Sequence, residues 1–206
     1  MTQEIEDRMR RAARGLDAGD VGSAAAGVAE RAGEEGALDV AYARVDSPFG
    51  ALLVAATERG LVRLAYPDRP EDAVLEELSR RVSARVLEHP GRLDAARREL
   101  DDYFEGRRRD FDLDLDLSLV RGFGARVLDI TSRIPFGESS TYKEVAEEAG
   151  SPRGARAAGN ALGANPIPIV VPCHRVLHSG GGLGGYTGGL DRKRWLLDIE
   201  GRSSSR

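Results

Sequence analysis

The sequence predicts an α+β fold made of two small domains. Residues 38–67 contain three apolar runs separated by Ser-Pro-Phe-Gly and Glu-Arg-Gly, a pattern typical of consecutive antiparallel strands. Residues 122–202 instead carry apolar side chains at helical spacing, with short breaks that contain glycine or proline. A chain of 206 residues is long enough to bury a core in each part.

The first domain is predicted over residues 37–109. Its strands are followed by two helices, over residues 71–85 and 93–104, in which apolar residues recur on one face. Residues 1–36 form an N-terminal extension, in which the apolar spacing of residues 5–16 indicates a short amphipathic helix.

Residues 110–121 connect the two domains. The segment DFDLDLDLSL alternates strictly between apolar and acidic or polar residues, and this periodicity alone indicates a half-buried strand. Because the segment lies between two regions of different pattern, an extended interdomain connection is an equally good interpretation.

The second domain is predicted over residues 122–202, with residues 203–206 as a tail. Thr141 and Glu144 form a capping-box pattern at the start of its second helix, and Pro152 occupies the first position of the third. These two short helices, joined by a tight turn, have the outline of a helix-turn-helix. The glycine-rich stretch 179–189 is predicted to form a wing-like loop. The four expected helices are 123–133, 141–150, one that begins at Ser151, and 190–200.

The composition limits the class of protein. No apolar run approaches the roughly 20 residues of a membrane helix, and the first residues lack the apolar segment of a secretory signal. Cys173 is the only cysteine, which excludes an internal disulfide and a zinc site built on several cysteines. We therefore expect no metal and no cofactor, no membrane association, and a reducing cytoplasmic compartment.

The charge is distributed unevenly along the chain. Residues 1–121 carry 19 Lys and Arg against 26 Asp and Glu, a net charge of −7, whereas residues 122–206 carry 11 against 8, a net charge of +3. If nucleic acid is the partner, the second domain should bind it, and its small positive charge predicts weak, salt-sensitive binding.

The third helix of the second domain, within PRGARAAGNALGA, consists almost wholly of small residues. Gly159 in mid-helix costs about 1 kcal/mol relative to alanine, so close approach to another surface is expected. Two interpretations stay open: tight packing against a neighbouring helix, or close approach to a DNA groove with Arg153 and Arg156 projecting from the helix.

The segment NPIPIVVPCHRV, residues 165–176, places the cysteine at the end of a rigid path. Three prolines exclude a helix, and the apolar residues 169–171 indicate burial. A lone buried cysteine is usually a small apolar residue, yet His174 beside it is suited to activate a nucleophilic thiol. The spacing alone leaves both interpretations open.

This segment closely resembles the active-site signature of the O6-alkylguanine-DNA alkyltransferases, also called methylated-DNA–protein-cysteine methyltransferases. The resemblance covers about residues 122–201 through TYKEVAEEAG, ARAAGNALGANP, PCHRV, GGLGGYTGGLDRKRWLL and the closing IEG. DSPFGALLVAAT and LDDYFEGRRRDFDL upstream also resemble the family, whereas residues 1–36 lie outside the resemblance. It implies a ribonuclease-H-like first domain and a winged-helix-type (helix-turn-helix) second domain.

The resemblance also implies roles in the reaction for five residues. Cys173 corresponds to the alkyl acceptor, and His174 to the base that deprotonates it through a bridging water. Glu200 corresponds to the acid that orients and polarises this histidine, and Asn165 to the asparagine that braces the active-site turn. Tyr142 corresponds to the proton donor for the leaving guanine. By the logic of a catalytic triad, such a set supplies a thiolate and stabilises the imidazolium.

Other positions are implied to bind DNA or the flipped base. Arg156 corresponds to the arginine that enters the base stack in place of the extruded nucleotide. The loop around Tyr186 should wall the base pocket, and the backbone at Cys173 and Val176 should read the guanine edge. The small-residue helix segment adds Arg153, Gly159 and Asn160 to these positions. The full set predicted to bind DNA or the base is Arg153, Arg156, Gly159, Asn160, Val176, Tyr186 and Thr187.

The function implied is direct-reversal DNA repair. An alkyl group moves irreversibly to Cys173 from O6-alkylguanine, and also from O4-alkylthymine, in double-stranded DNA bound through its minor groove by a monomer. The reacting carbon lies inside the duplex, so the nucleotide must be flipped out. Attack on an alkyl carbon gives a thioether, which water does not cleave, so each protein molecule reacts once.

Two alternatives belong to other classes. A Cys-His-Glu hydrolase, such as a thioesterase or amidase, would need an oxyanion hole and multiple turnovers. A non-catalytic lesion-binding relative would lack the acceptor cysteine. Of the residues without an implied role, His89 and His178 are expected to be solvated. Lys193 is expected either to contact phosphate or to lie in solvent at a helix start.

Overall fold

A four-stranded sheet forms the centre of the first domain in the computed structural model, which describes residues 38–201. Its strands follow the order β3-β2-β1-β4, with β1 antiparallel to β2 and parallel to β4. The three predicted strands are present, and only the three-residue β4 is too short to give a periodic pattern. The helix predicted in residues 5–16 lies outside the described residues. The strands are β1 (Val40–Val45), β2 (Leu52–Thr57), β3 (Gly60–Ala65) and β4 (Val86–Glu88).

Side chains of the strands alternate between two apolar clusters. Leu52 and Val54 belong to a cluster that also contains Val127 and Cys173 of the second domain. The intervening Leu53, like Ala55, packs with buried side chains of the first helix on the other face. Both faces of the sheet are therefore covered, which is why β2 is apolar throughout rather than alternating.

Two helices flank the sheet, α1 (Glu71–Arg81) and α2 (Asp94–Phe104). The helix α1 ends four residues before the predicted Arg85, because the carbonyl of Arg85 accepts hydrogen bonds from the start of β1. The helix α2 follows a 3₁₀ turn over Pro90–Leu93 and buries Tyr103 completely. Tyr103 thereby points from the first domain toward the second.

Residues 110–121 form a connection that is extended up to a 3₁₀ turn over Leu117–Leu119 and that pairs with β3 at Leu61. The amide of Leu61 donates to the carbonyl of Asp114, and the amide of Asp116 donates to the carbonyl of Leu61, both at 2.8 Å. A Cβ on Gly60 would lie 2.2 Å from the Asp114 carbonyl oxygen, so only glycine lets the connection pass here. The alternating pattern arises because Phe111 and its apolar neighbours pack against the core while Asp112 and Asp114 are exposed. Asp116 is the exception, since it is buried and accepts hydrogen bonds from Thr57 and Arg59.

The second domain contains four helices, as predicted. Its second helix begins with the predicted capping box, in which the Thr141 side chain accepts from the Glu144 amide and the Glu144 side chain accepts from the Thr141 amide. Between residues 38 and 201, no helix has the length and apolarity to cross a membrane. The elements are α3 (Phe123–Ser132), β5 (Ser140–Thr141), α4 (Tyr142–Glu148), α5 (Ala155–Gly163), β6 (Val176–Leu177) and α6 (Leu190–Ile199).

The prediction that the third helix begins at Ser151 is wrong, because α5 begins at Ala155. The amide of Ser151 donates to Ala146 in α4 at 2.8 Å, and the amide of Gly154 donates to the Ser151 carbonyl at 2.7 Å. These bonds close residues 151–154 into a tight turn between α4 and α5. Arg153 therefore lies in the turn before the helix rather than on it.

Candidate active site

A cavity of about 610 Å³ opens between α5 and the loop 178–189. Cys173 lies on its wall, and the cavity brings together most of the residues expected to bind the base. Of the predicted set, Val176 and Arg153 do not line it, and Asn165, His174 and Glu200 lie buried behind the wall. The predicted residues on the wall are Tyr142, Arg156, Gly159, Asn160, Cys173, Tyr186 and Thr187.

Cys173 is buried and held by an amide side chain. Asn165 Nδ2 donates to Cys173 Sγ at 3.2 Å and to the Val171 carbonyl at 2.9 Å, while its Oδ1 accepts from the Ile167 amide at 2.9 Å. Burial raises the pKa of the Cys173 thiol to about 11, although the Asn165 hydrogen bond and Lys193 oppose this rise. The resting thiol is therefore protonated at neutral pH and needs a base before it can attack.

The turn that precedes Cys173 is strained. Ile169 has a φ of 77°, a left-handed backbone conformation. For a β-branched residue this conformation raises the free energy of the folded state by about 1–3 kcal/mol. The Val171 amide donates to the Ile167 carbonyl at 2.9 Å, and the Pro166 carbonyl accepts from Leu64 of β3 at 2.8 Å. Prolines on both sides of Ile169 and the contact with β3 hold the turn in this conformation.

His174 and Glu200 form a buried pair behind the cysteine. His174 Nε2 lies 3.0 Å from Glu200 Oε1, and both side chains are fully buried. Burial lowers the pKa of His174, so the ring is neutral, and the carboxylate holds its proton on Nε2. His174 Nδ1 has no hydrogen-bond partner within the described part of the chain. It is thus a free acceptor on a neutral imidazole next to Cys173.

Glu200 is kept ionised by donors that sequence reasoning missed. Arg175 Nε donates to Oε2 at 2.9 Å and its Nη2 donates to Oε1 at 2.8 Å, while the hydroxyl of Tyr103 donates to Oε1 at 2.7 Å. Burial alone would raise the pKa of Glu200, but the hydrogen bonds from His174 and Arg175 outweigh it and hold the pKa at about 2. The carboxylate is therefore charged over the whole physiological range.

The opposite wall of the cavity is tied together by its own side chains. The hydroxyl of Tyr142 donates to the Gly185 carbonyl at 3.2 Å, and Thr187 Oγ1 donates to the Gly163 carbonyl at 3.0 Å. His178 is exposed, as expected, but it also lines the cavity and lies 5.1 Å from the Tyr142 ring. His89, in contrast, caps the 3₁₀ turn far along the chain by accepting from the Arg92 amide at 3.4 Å.

Both expectations for Lys193 are wrong, because this lysine is completely buried. Its Nζ donates to the carbonyls of Val176 at 2.7 Å, Leu183 at 2.5 Å and Gly185 at 3.4 Å. Burial lowers the pKa of Lys193 to about 8, although the nearby Cys173 acts in the opposite direction and raises it. The buried ammonium group therefore holds the loop 178–189 through the loop's own carbonyls. Because Lys193 is only the fourth residue of α6, its sequence position did not predict this burial.

Replacing Lys193 by methionine should lower the free energy of unfolding by about 2 kcal/mol, because buried carbonyls lose their donor. Amide hydrogen exchange in residues 178–189 should accelerate in parallel. Lys143, the other lysine of the chain, is exposed and paired with Glu147. The matched Lys143→Met variant should therefore lose less than about 1 kcal/mol. Equal stability and equal loop exchange in the two variants would contradict this role for Lys193.

Comparison with known proteins identifies the family. The family model described as 6-O-methylguanine DNA methyltransferase, ribonuclease-like domain, matches residues 40–117, and that of the DNA binding domain matches residues 122–202. The chain belongs to the 6-O-methylguanine DNA methyltransferase family. The family predicted from the sequence is therefore confirmed, together with the α+β fold of a ribonuclease-like and a DNA-binding domain.

Individual relatives match over most of their length. A methylated-DNA–protein-cysteine methyltransferase of Mycolicibacterium paratuberculosis is 44% identical over 80% of this chain and 94% of its own. The inducible enzyme of that name from Bacillus subtilis is 35% identical over 74% of this chain and 85% of its own.

Solved structures of family members share the fold. A Mycobacterium tuberculosis OGT solved in complex with DNA is 38% identical, with a TM-score of 0.67 over 80% of this chain and 94% of its own. The O6-methylguanine-DNA methyltransferase of Pyrococcus kodakaraensis is 25% identical, with a TM-score of 0.55 over 79% of this chain and 99% of its own.

Proposed function

We propose that the protein removes alkyl groups from O6-alkylguanine, and from O4-alkylthymine, in double-stranded DNA by transferring them irreversibly to Cys173. One observation carries the proposal: the only cysteine of the chain lies on the wall of a cavity of about 610 Å³, large enough to admit a base, and is backed by the buried His174–Glu200 pair. The names of the relatives agree with this activity. The protein acts as a cytoplasmic monomer without a cofactor.

Proton transfer from the thiol begins the reaction. A water molecule between Cys173 Sγ and His174 Nδ1 passes the thiol proton to the imidazole, since Nδ1 is the unpartnered acceptor. Glu200 stabilises the imidazolium because its carboxylate is already charged and fixed by Arg175. The high pKa of the resting thiol means that the thiolate exists mainly during the reaction.

The thiolate then displaces the base from the alkyl carbon. The bond from Sγ to carbon forms as the bond from carbon to guanine O6 breaks, and guanine leaves as an anion. Tyr142, on the cavity wall, donates a proton to this anion. Solvent water reprotonates Tyr142 as His174 releases the thiol proton to solvent, so no net proton is gained or lost. The product is unmodified guanine and an S-alkyl cysteine, which accounts for a single turnover.

The helix α5 has the features of a surface that meets DNA. A Cβ on Gly159 would contact the Tyr142 ring only at 3.7 Å, and nothing lies within 4 Å of one on Gly163. The protein's own packing thus does not require these glycines, which favours close approach of DNA over tight packing between helices. Arg153 and Arg156 are exposed and form no ion pair with any residue between 38 and 201.

We propose that α5 binds the minor groove. Arg156 lines the mouth of the cavity, so it enters the base stack as the damaged nucleotide swings out toward Cys173. Asn160 lies one helical turn further along the same face and reaches the same strand. Arg153, in the turn before α5, binds a phosphate.

The products on the DNA test the proposal. A duplex with one O6-methylguanine is incubated with excess protein, digested to nucleosides and analysed for guanine and O6-methylguanine. Restored guanine in an amount equal to the protein consumed, with no methanol released and no restoration by Cys173→Ser, is the expected result. Repeated turnover with methanol release would identify a hydrolase, and binding without restoration would identify a lesion-binding protein.

A further inference from the structure

The end of β3 reaches from the first domain to both walls of the cavity. The amide of Leu64 donates to the Pro166 carbonyl at 2.8 Å, within the turn that leads to Cys173. Two residues later, the hydroxyl of Tyr66 lies 2.7 Å from that of Tyr186, on the opposite wall. The first domain is therefore in direct contact with the two sides between which the base must fit.

Tyr66 is held firmly in place. It is 5% exposed, and its ring packs edge-on against Phe49 with centroids 5.8 Å apart. The Arg192 guanidinium lies over the Tyr66 ring, 4.4 Å from the ring centroid. The same guanidinium donates hydrogen bonds to Asp68 and to the Gly188 carbonyl. These contacts fix the orientation of the Tyr66 ring, so that its hydroxyl points toward Tyr186.

The loop backbone rests directly on Tyr66. A Cβ on Gly188 would lie 2.5 Å from the Tyr66 ring and 2.8 Å from the Tyr186 ring. Gly188 has no positive φ, so it is space rather than conformation that requires glycine here. Tyr66 thereby supports both the backbone at Gly188 and the hydroxyl of Tyr186.

Tyr186 transmits this support to the cavity. Its ring lines the same cavity as Cys173, and its hydroxyl end is occupied by Tyr66. Burial raises the pKa of both tyrosines, so both hydroxyls stay protonated and one donates to the other. Without this bond the Tyr186 ring is held by packing alone, against the rings of Tyr66 and His174, and this wall of the cavity is less firmly fixed.

We infer that Tyr66 is a positioning residue that fixes Tyr186 and thereby limits the size of the alkyl group that reaches Cys173. The inference rests on the proposed function. Tyr186 and Cys173 line the same cavity, so the position of the Tyr186 ring sets the space beside the thiol. A methyl group needs close contacts in this space, whereas a benzyl group needs more room there. The first domain thus contributes to substrate selection without touching the substrate.

Tyr66→Phe tests the inference with two lesions in the same duplex, O6-methylguanine and O6-benzylguanine. The second-order rate constant for methyl transfer should fall by about 3- to 10-fold, the effect of one hydrogen bond between neutral groups. Benzyl transfer should fall less or rise, so the ratio of benzyl to methyl rates increases. An equal fall for both lesions, or no change for either, would overturn the inference.

Tyr186→Phe removes the same bond from the second domain and serves if Tyr66→Phe folds poorly. Because each substitution abolishes one shared bond, the double variant should be no slower than the slower single variant. Additive losses would overturn the inference.

Tyr42→Phe is the control variant. Tyr42 lies in the same domain but packs in the other apolar cluster, so this substitution should change neither rate. A wild-type protein that transfers neither group would overturn the proposed function itself, whereas an active wild type with an unchanged Tyr66→Phe would overturn only this inference.

Discussion

Replacing Glu200 by glutamine should slow methyl transfer to Cys173 by about 10²- to 10⁴-fold, the usual range for loss of general base catalysis. The amide keeps the shape of the side chain but carries no charge to stabilise the imidazolium. It can also present its NH₂ group to His174 Nε2, which would move the ring proton to Nδ1 and remove the free acceptor. Single-turnover kinetics with protein in excess over duplex DNA measure the effect.

Asp116→Asn is the matched control for this substitution. Asp116 is as buried as Glu200, and its carboxylate accepts hydrogen bonds from Thr57, Arg59 and Ser118. It lies in the interdomain connection and is not part of the cavity. This variant should therefore lose stability but keep the wild-type rate constant per folded molecule. Equal rate losses in the two variants would show that the effect of Glu200 is on folding rather than on the reaction.

Arg175→Met should lower the free energy of unfolding by about 3–5 kcal/mol, because it leaves the Glu200 carboxylate buried without its cation. Arg175 is 5% exposed and also donates to the Ile134 carbonyl. Arg44→Met is the matched control, since Arg44 forms ion pairs with Glu71 and Glu88 at the surface. That variant should lose less than about 1 kcal/mol in urea unfolding.

The pH dependence of the Arg175 variant gives a second readout. Glu200 has an ordinary pKa of 4.5 and a folded-state pKa of about 2, so its contribution to stability is present above pH 4.5 and is lost as the pH falls toward 2. Without Arg175 the folded-state pKa rises, and this contribution shrinks. The variant should therefore lose less additional stability between pH 4.5 and 2 than the wild type does. An unchanged slope would show that Arg175 does not set the ionisation of Glu200.

Local patterns allowed most of the fold to be predicted. The strands were recognisable because turn residues separate their apolar runs, and the helix at Thr141 because its capping box lies within four residues. The start of α5 was not predictable from local patterns, because the turn at 151–154 depends on a hydrogen bond from the Ser151 amide back to α4. Pro152 fits the first turn of a helix and a tight turn equally well, so the sequence alone does not distinguish them.

The site was predictable where the signature is contiguous and not where it depends on packing. Cys173 and His174 are adjacent, and the resemblance added Glu200. Tyr66 and Tyr103 come from the other domain, and only the docking of the two domains places their hydroxyls at the site.

Lys193 and Ile169 were missed for a related reason. A lysine near a helix start is usually solvated, and its burial follows from loop carbonyls that no pattern predicts. The left-handed conformation of Ile169 is likewise imposed by its surroundings.

The intact mass of the protein tests the central claim most directly. The protein is incubated with an excess of duplex carrying one O6-methylguanine, and its mass is compared with that of Cys173→Ala treated in the same way. We predict a gain of one methylene unit per molecule, located on Cys173 by peptide mapping, stable on prolonged incubation and absent from the variant. An unchanged wild-type mass after incubation, or a gain that persists in the variant, would contradict the assignment of Cys173 as the alkyl acceptor.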